Sequence, residues 1–264
     1  MRVHHLDCAP MVEIEPADGT DGSLKPARAV GHVLLVETDS CGLVLVDTGI
    51  GIDDIAAPSE RLHDDWLGVA RPLLDPAATA IRQIEALGHS PADVRHIALT
   101  HLHRDHAGGL SDFPQAAVHL FEAERADGGK TPAQLAHGPK WIAYESGRGD
   151  TWHGFDGVRA LQGVPEDILL IPLHGHTPGH AGVAVRDGDR WLLHAGDAYM
   201  YHGEVDRPDP LTHPLMDLVQ TGGETDREQR LTGVARLREL ALDGAGEVEV
   251  FSSHDPWELQ RYRR

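Results

Sequence analysis

The sequence predicts an α/β fold, and three observations predict it. Short apolar runs of strand length recur from residue 33 to residue 251. Two longer stretches carry helical spacing instead. Nearly every apolar run then delivers the chain into a loop holding a histidine or an aspartate, and the chain returns. At 264 residues the chain can bury a full core. No linker, repeat or low-complexity tract interrupts it, so a single domain over 1–264 is expected.

The elements follow in order. Val33–Val36 and Leu43–Val46 flank Asp39-Ser40-Cys41-Gly42 as a hairpin, and the second run ends in Asp47-Thr48-Gly49. Residues 50–74 look loop-like. Asp75 caps a helix with Pro76 at its first position, an apolar stripe from Ala77 through Ala80, Ile81 and Ile84 to Leu87, and a stop at Gly88. Ile97–Leu99 and Ala117–Phe121 are strands. Residues 125–157 show no clear period but carry Trp141, Tyr144, Trp152 and Phe155; they are expected to form a lid or substrate-facing insertion. Ile168–Ile171 is a strand, Gly182–Val185 and Trp191–His194 a hairpin, and 200–224 loop-rich. Thr225 with Glu228 fits a capping box for a helix through Leu231, Val234, Leu237 and Leu240 that stops near Gly244. Val248–Phe251 is the last strand, with a short helix after Pro256.

Composition narrows the function. Hydrophobic residues at 41% and charged residues at 25% describe an ordinary globular chain. The formal charge, 23 − 42 = −19, repels phosphate backbones, so a small-molecule substrate is expected and nucleic acid is not. Cys8 and Cys41 are too few for a disulfide framework and stand in no metal-site spacing. The N-terminus lacks the apolar core of a secretory signal, and no run approaches a membrane span; a cytoplasmic protein is expected.

The chemistry concentrates in Thr100-His101-Leu102-His103-Arg104-Asp105-His106, where four candidate metal ligands fall within six residues just after an apolar run. His101 and His103, two apart on extended chain, leave the same face, while Asp105 and His106 follow where the chain turns. That layout suits two metal ions. His180, Asp197 and His254 each follow a strand and complete the donor set. His174, His176 and His194 are read as packing or ligand-orienting residues, and His4, His89 and the other histidines carry no motif.

The His-x-His-x-Asp-His loop, Asp-Thr-Gly turn, His-Thr-Pro-Gly-His, Gly-Asp and late Ser-His together resemble the metallo-β-lactamase superfamily, in that family's order from about residue 30 to His254. The resemblance implies an αββα sandwich of two mixed β-sheets flanked by helices, with the metals at one edge. It implies His101, His103 and His180 on a first zinc, Asp105, His106 and His254 on a second, and Asp197 bridging. Iron or manganese could replace zinc. Asp47 would orient a ligand histidine. Among family members the chain is most similar to acyl-homoserine lactonases, which implies attack of a metal-bridging hydroxide on a lactone or ester, with Asp105 shuttling a proton and Tyr199 meeting the oxyanion. In those enzymes the tyrosine stands three residues after the aspartate; here Tyr199 stands two after Asp197, and Tyr201 four. A thioesterase like glyoxalase II is the alternative, and a mononuclear-iron sulfur dioxygenase the alternative of a different class. The sequence leaves the oligomeric state open.

Overall fold

The computed structural model describes residues 1–17, 24–129, 132–164, 167–243 and 246–263. Within them, β1 (Arg2–Asp7), β2 (His32–Glu37), β3 (Leu43–Val46), β4 (Val94–Ala98), β5 (Ala117–Phe121) and β6 (Lys140–Tyr144) lie side by side in chain order as one sheet. A second sheet holds β7 (Asp150–Trp152), β8 (Phe155–Ala160), β9 (Ile168–Pro172), β10 (Ala181–Asp187), β11 (Arg190–His194) and β12 (Val248–Phe251), again in sequence order. Both sheets are mixed. β1 to β3 pair antiparallel and β3 to β6 parallel. β7 to β11 pair antiparallel, and β12 joins β11 in parallel.

The layers follow from the two-residue period of the strands. Leu34, Val36, Val44 and Val46 face the second sheet and pack on Ile168, Leu170, Val183, Val185 and Phe251. Val33, Leu35, Leu43 and Leu45 face the other way, on to Ala80 and Ile84. Those two belong to α2 (Ala80–Ala86), which follows α1 (Asp64–Ala70). On the far side of the second sheet, Ile171, Ala184, Leu193 and Val250 meet Val234 and Leu237. The order of layers is helix, sheet, sheet, helix. Strands buried on both faces read as continuous apolar runs, which is why these were visible in the sequence.

The remaining helices used below are α3 (Arg104–Ala107), α4 (Glu122–Asp127), α5 (Pro214–Gly223), α6 (Arg227–Asp243) and α7 (Pro256–Gln260). Several details depart from expectation. The segment 50–74 holds three short helices: Ile52–Ala56, Pro58–Arg61 and α1. The helix expected from Asp75 is split into a 3-10 turn at Pro76–Ala78 and α2. Thr225 does not cap α6; its hydroxyl donates to the Gly175 carbonyl, and Asp226 accepts from the Gln229 N–H instead. The expected stop near Gly244 lies outside the described residues.

The largest departure concerns 125–157. Its described residues supply β6 and β7 and begin β8, so they build the outer edges of both sheets. Trp152 packs on the outer face of the second sheet. The expected lid is a sheet edge: Trp141, Tyr144, Trp152 and Phe155 pack into the core clusters of the two sheets.

Candidate metal centre

The loops that follow β3, β4, β9, β11 and β12 meet at one edge of the sandwich, beyond the carboxyl ends of those strands. Open α/β sheets commonly place their sites there. β3 ends in Asp47, β4 in the loop of His101 and His103, and the turn into α3 brings up Asp105 and His106. Four side chains, His101, His103, His176 and Asp197, converge with potential ligand atoms within 4.8 Å of one another. Asp105, His106 and His254 converge to the same limit.

Asp197 lies between the two groups. Its Oδ2 is 3.8 Å from His101 Nε2, 3.5 Å from His176 Nε2 and 3.2 Å from His254 Nε2, and its Oδ1 is 3.4 Å from His106 Nε2. Asp105 stands 3.6 Å from His254 Nε2 and 3.9 Å from His106 Nε2. Burial opposes ionisation of Asp197, but His254 and His106 beside it outweigh that and hold its carboxyl well below the usual range.

Hydrogen bonds on the far ring nitrogens aim the near ones. His254 Nδ1 donates to the Val30 carbonyl at 2.8 Å, and His106 Nδ1 donates to Asp47 Oδ2 at 2.8 Å. His101 Nδ1 lies 3.0 Å from the Thr100 hydroxyl, which donates to the same Asp47 oxygen at 2.8 Å. Asp47 also accepts from the Thr100 backbone N–H, and it sits at φ 59 to reach both partners. These contacts aim Nε2 of His101, His106 and His254 inward; burial opposes a charge on His106 and His254, but Asp197 beside them outweighs it and raises both in the metal-free chain. Burial pushes His101 well down and His176 down to about 3, so both rings are neutral, the form that binds a metal. His101 Nε2 and His106 Nε2 are buried and make no hydrogen bond among the described residues. Such orphaned acceptors are costly unless something else occupies them, and imidazole with carboxylate suits zinc, iron or manganese. The donor set fits a pair of metal ions.

Two expected site residues stand elsewhere. His180 is in neither group. It directly precedes β10; its Nδ1 donates to the Leu173 carbonyl at 2.8 Å and its Nε2 accepts from the Asp197 N–H at 2.9 Å. With both nitrogens committed to backbone, the ring supports the turn that carries Asp197. Gly196, at φ 57, is required in that turn, since a Cβ there would stand 2.6 Å from His180 Nε2. His176, the first histidine of His-Thr-Pro-Gly-His, stands in the donor group instead, with Nε2 2.9 Å from His103 Nδ1. Tyr199 is likewise removed from the site. It is fully buried in the outer core of the second sheet and donates its hydroxyl to Glu258 at 2.8 Å. The Tyr201 hydroxyl accepts from the Ala17 N–H.

Other contributors carry no motif. Glu124 in α4 is fully buried and accepts from the Leu102 N–H with one oxygen, and from the Thr177 hydroxyl and Gly179 N–H with the other. One carboxylate thereby ties the His101–His103 loop to the loop of His176. Gln220 in α5 donates to the Asp197 carbonyl at 2.7 Å, and Arg230 in α6 donates to the Ala198 carbonyl while paired with Glu224 at 2.5 Å. Gln220 and Arg230 are polar residues on otherwise core-facing stripes, whereas Glu124, the one buried residue of α4, carries no such signal.

A cavity of about 450 Å³ opens on to the donors. His103, Asp105, His176, Asp197 and His254 form its floor. Its apolar lining includes Met11, Val12, Trp66, Val69, Ala70, Met200, Leu215, Met216, Leu218 and Val219, several of which pack in one core cluster. Residues of α1 and α5 both line the cavity, and none of the described residues of 125–157 does.

Comparison with known proteins agrees with this architecture. Residues 28–228 match the family model of the metallo-beta-lactamase superfamily. The chain is 38% identical over 270 residues to a probable metallo-hydrolase of Mycobacterium tuberculosis, spanning 97% of this chain and 81% of that one. It is 32% identical over 165 residues to the N-acyl homoserine lactonase AttM of Agrobacterium fabrum, spanning 56% of this chain and 57% of the relative. The crystal structure of a mutant of AiiA from B. thuringiensis, with N-decanoyl-L-homoserine bound at its active site, superposes with a TM-score of 0.69 over 98% of this chain and 95% of that one, at 20% identity. The chain belongs to the metallo-β-lactamase superfamily. It is a metallo-hydrolase of that superfamily.

Proposed function

We propose that this protein is a dinuclear zinc hydrolase that opens lactones, or cleaves related esters, bearing an apolar acyl chain. The observation that carries the reading is the cavity: apolar side chains from α1, from α5 and from the segments of Met11, Ala29 and Met200 line it together with both donor groups. Its volume lies in the range of small-molecule sites.

His101, His103 and His176 would hold one ion and Asp105, His106 and His254 the other, with Asp197 shared between them. Bound zinc supplies a water of near-neutral pKa and polarises a carbonyl. The chain's own residues do the rest. Trp66, Met216 and their neighbours exclude water and hold the acyl chain, so that the carbonyl end rests on the polar floor. Asp105 lies on that floor, where its carboxylate can carry a proton to the leaving alkoxide. Neither Tyr199 nor Tyr201 lines the cavity, so no oxyanion role is assigned to either.

A thioesterase would need the same donors, and a mononuclear iron oxygenase would need only one group of them. The convergence of Asp105, His106 and His254 as a second group favours the hydrolase. The test is a substrate panel offered to zinc-loaded protein: acyl lactones of graded chain length, aryl esters, acylglutathione thioesters and phosphodiesters. Lactone turnover that improves with chain length is expected. Thioester turnover without lactone turnover would replace this reading with the thioesterase.

A further inference from the structure

A second cluster of metal-type donors stands at the other end of the first sheet. The registers place Glu37 opposite Leu43, and Leu43 opposite Val94, at the start of β3 and β4. The catalytic loops leave from the opposite ends of those strands.

Three elements bring the cluster together. On β1, His4 shares a face with Leu6, which packs in the same core as Ala80 and Ile84 of α2. Arg2 pairs with Glu37, so Glu37 emerges on that face, one pleat from His4. α2 lies over the same face and ends at Gly88, whose φ of 87 reverses the chain. The Gly88 N–H donates to Glu85 and the His89 N–H to Ile84, a cap that turns His89 back over the sheet.

His4 Nε2 lies 2.5 Å and His89 Nε2 3.4 Å from the same oxygen, Glu37 Oε1. The two rings stand 6.3 Å apart at 72°. Potential ligand atoms of all three residues fall within 4.8 Å of one another. The side chains are 12%, 30% and 28% exposed for His4, Glu37 and His89, so they are partly fixed by packing yet open to solvent. The hydrogen bond from His4 lowers the Glu37 carboxyl below its ordinary range, and Glu37 is a carboxylate at neutral pH.

We propose that His4, Glu37 and His89 form a separate site for a divalent transition-metal ion, with zinc the expected occupant. Two imidazoles select such an ion over magnesium or calcium, and three protein donors leave a position for water. The bound ion joins the edge strand β1 to the end of α2. Its consequence is stabilisation of the fold by mass action, with no part in turnover. The site is independent of the lactonase reading.

The test is calorimetric titration of the metal-free, full-length chain with zinc chloride, wild type beside His89→Ala. Wild type should bind one more zinc per chain than the variant, and the variant should keep full hydrolase activity once loaded. Zinc should also shift the His4 and His89 imidazole resonances of the wild-type protein, a readout that needs no substitution. Equal zinc stoichiometry in both proteins, with those resonances unmoved, would mean an ion pair only and overturn the proposal.

Discussion

At the scale of single residues, the decisive contrast lies between His176 and His180, four residues apart in one motif. Both are buried imidazoles beside Asp197, but His176 directs Nε2 at the donor cluster and His180 spends both nitrogens on backbone. Their replacement by alanine therefore has different signatures. His176→Ala should lose bound metal and more than about 100-fold in kcat, whereas His180→Ala should keep most of its metal and lose about 10–100-fold through a displaced Asp197. Metal content and kcat measured on the same preparations decide it; equal metal loss in both would contradict the geometry. The motif showed that a ligand was present without showing which histidine it was. The family resemblance assigned His180, and only the carbonyl of Leu173, supplied by the tertiary fold, redirects it.

At the scale of elements, α1 and α5 bear on substrate choice because both line the cavity that holds the donors. Met216 of α5 is buried in that lining. Met216→Trp should fill the cavity and lower kcat/KM for a long-chain acyl lactone by about tenfold, while a short-chain lactone is nearly unaffected. Steady-state kinetics on the two substrates check this, and equal losses on both would argue against an acyl-binding cavity. The sequence pointed elsewhere, to 125–157, because aromatic residues without a period look like a lid. Trp141, Tyr144, Trp152 and Phe155 instead pack on the sheets whose edges they form. α5 was hidden because its sequence carries two glycines and begins after a proline-rich loop. β1 was hidden as well, since Arg2, His4, His5 and Asp7 mask its alternation.

At the scale of the whole molecule, the fold was legible where strands are buried on both faces and the donor loops where they follow such strands. The excess of histidines has a consequence for stability that motif reading does not reach. Burial pushes His5 and His119 down to about 3 and His32 well down, away from the metal centre. Each takes up a proton more readily unfolded than folded, so its contribution is intact above pH ~6.5 and is lost as pH falls towards the folded value. Asp112, raised by burial to about 6, and Glu258, raised by burial and then by Asp255 to about 7, act in the opposite sense, losing stability as pH rises through those values. Burial also raises Asp7, Asp54, Glu124 and Glu204, but it lowers His96, His101, His137, His174, His176, His180 and His194 as well, so the lowered histidines outnumber the raised carboxyls. The melting temperature of the metal-free protein should therefore fall as pH is lowered from about 6.5 to about 4. A rise over that range would show that the raised carboxyls dominate.

The dinuclear reading depends on both donor groups acting together through Asp197, and His106 joins them: its Nε2 faces Asp197 while its Nδ1 is held by Asp47. The most direct test is acyl-lactone turnover by zinc-loaded His106→Ala beside wild type, with zinc counted at the catalytic centre of each. The variant should keep one catalytic zinc and lose more than about 100-fold in kcat/KM. Wild-type turnover by a variant holding a single catalytic zinc would contradict it.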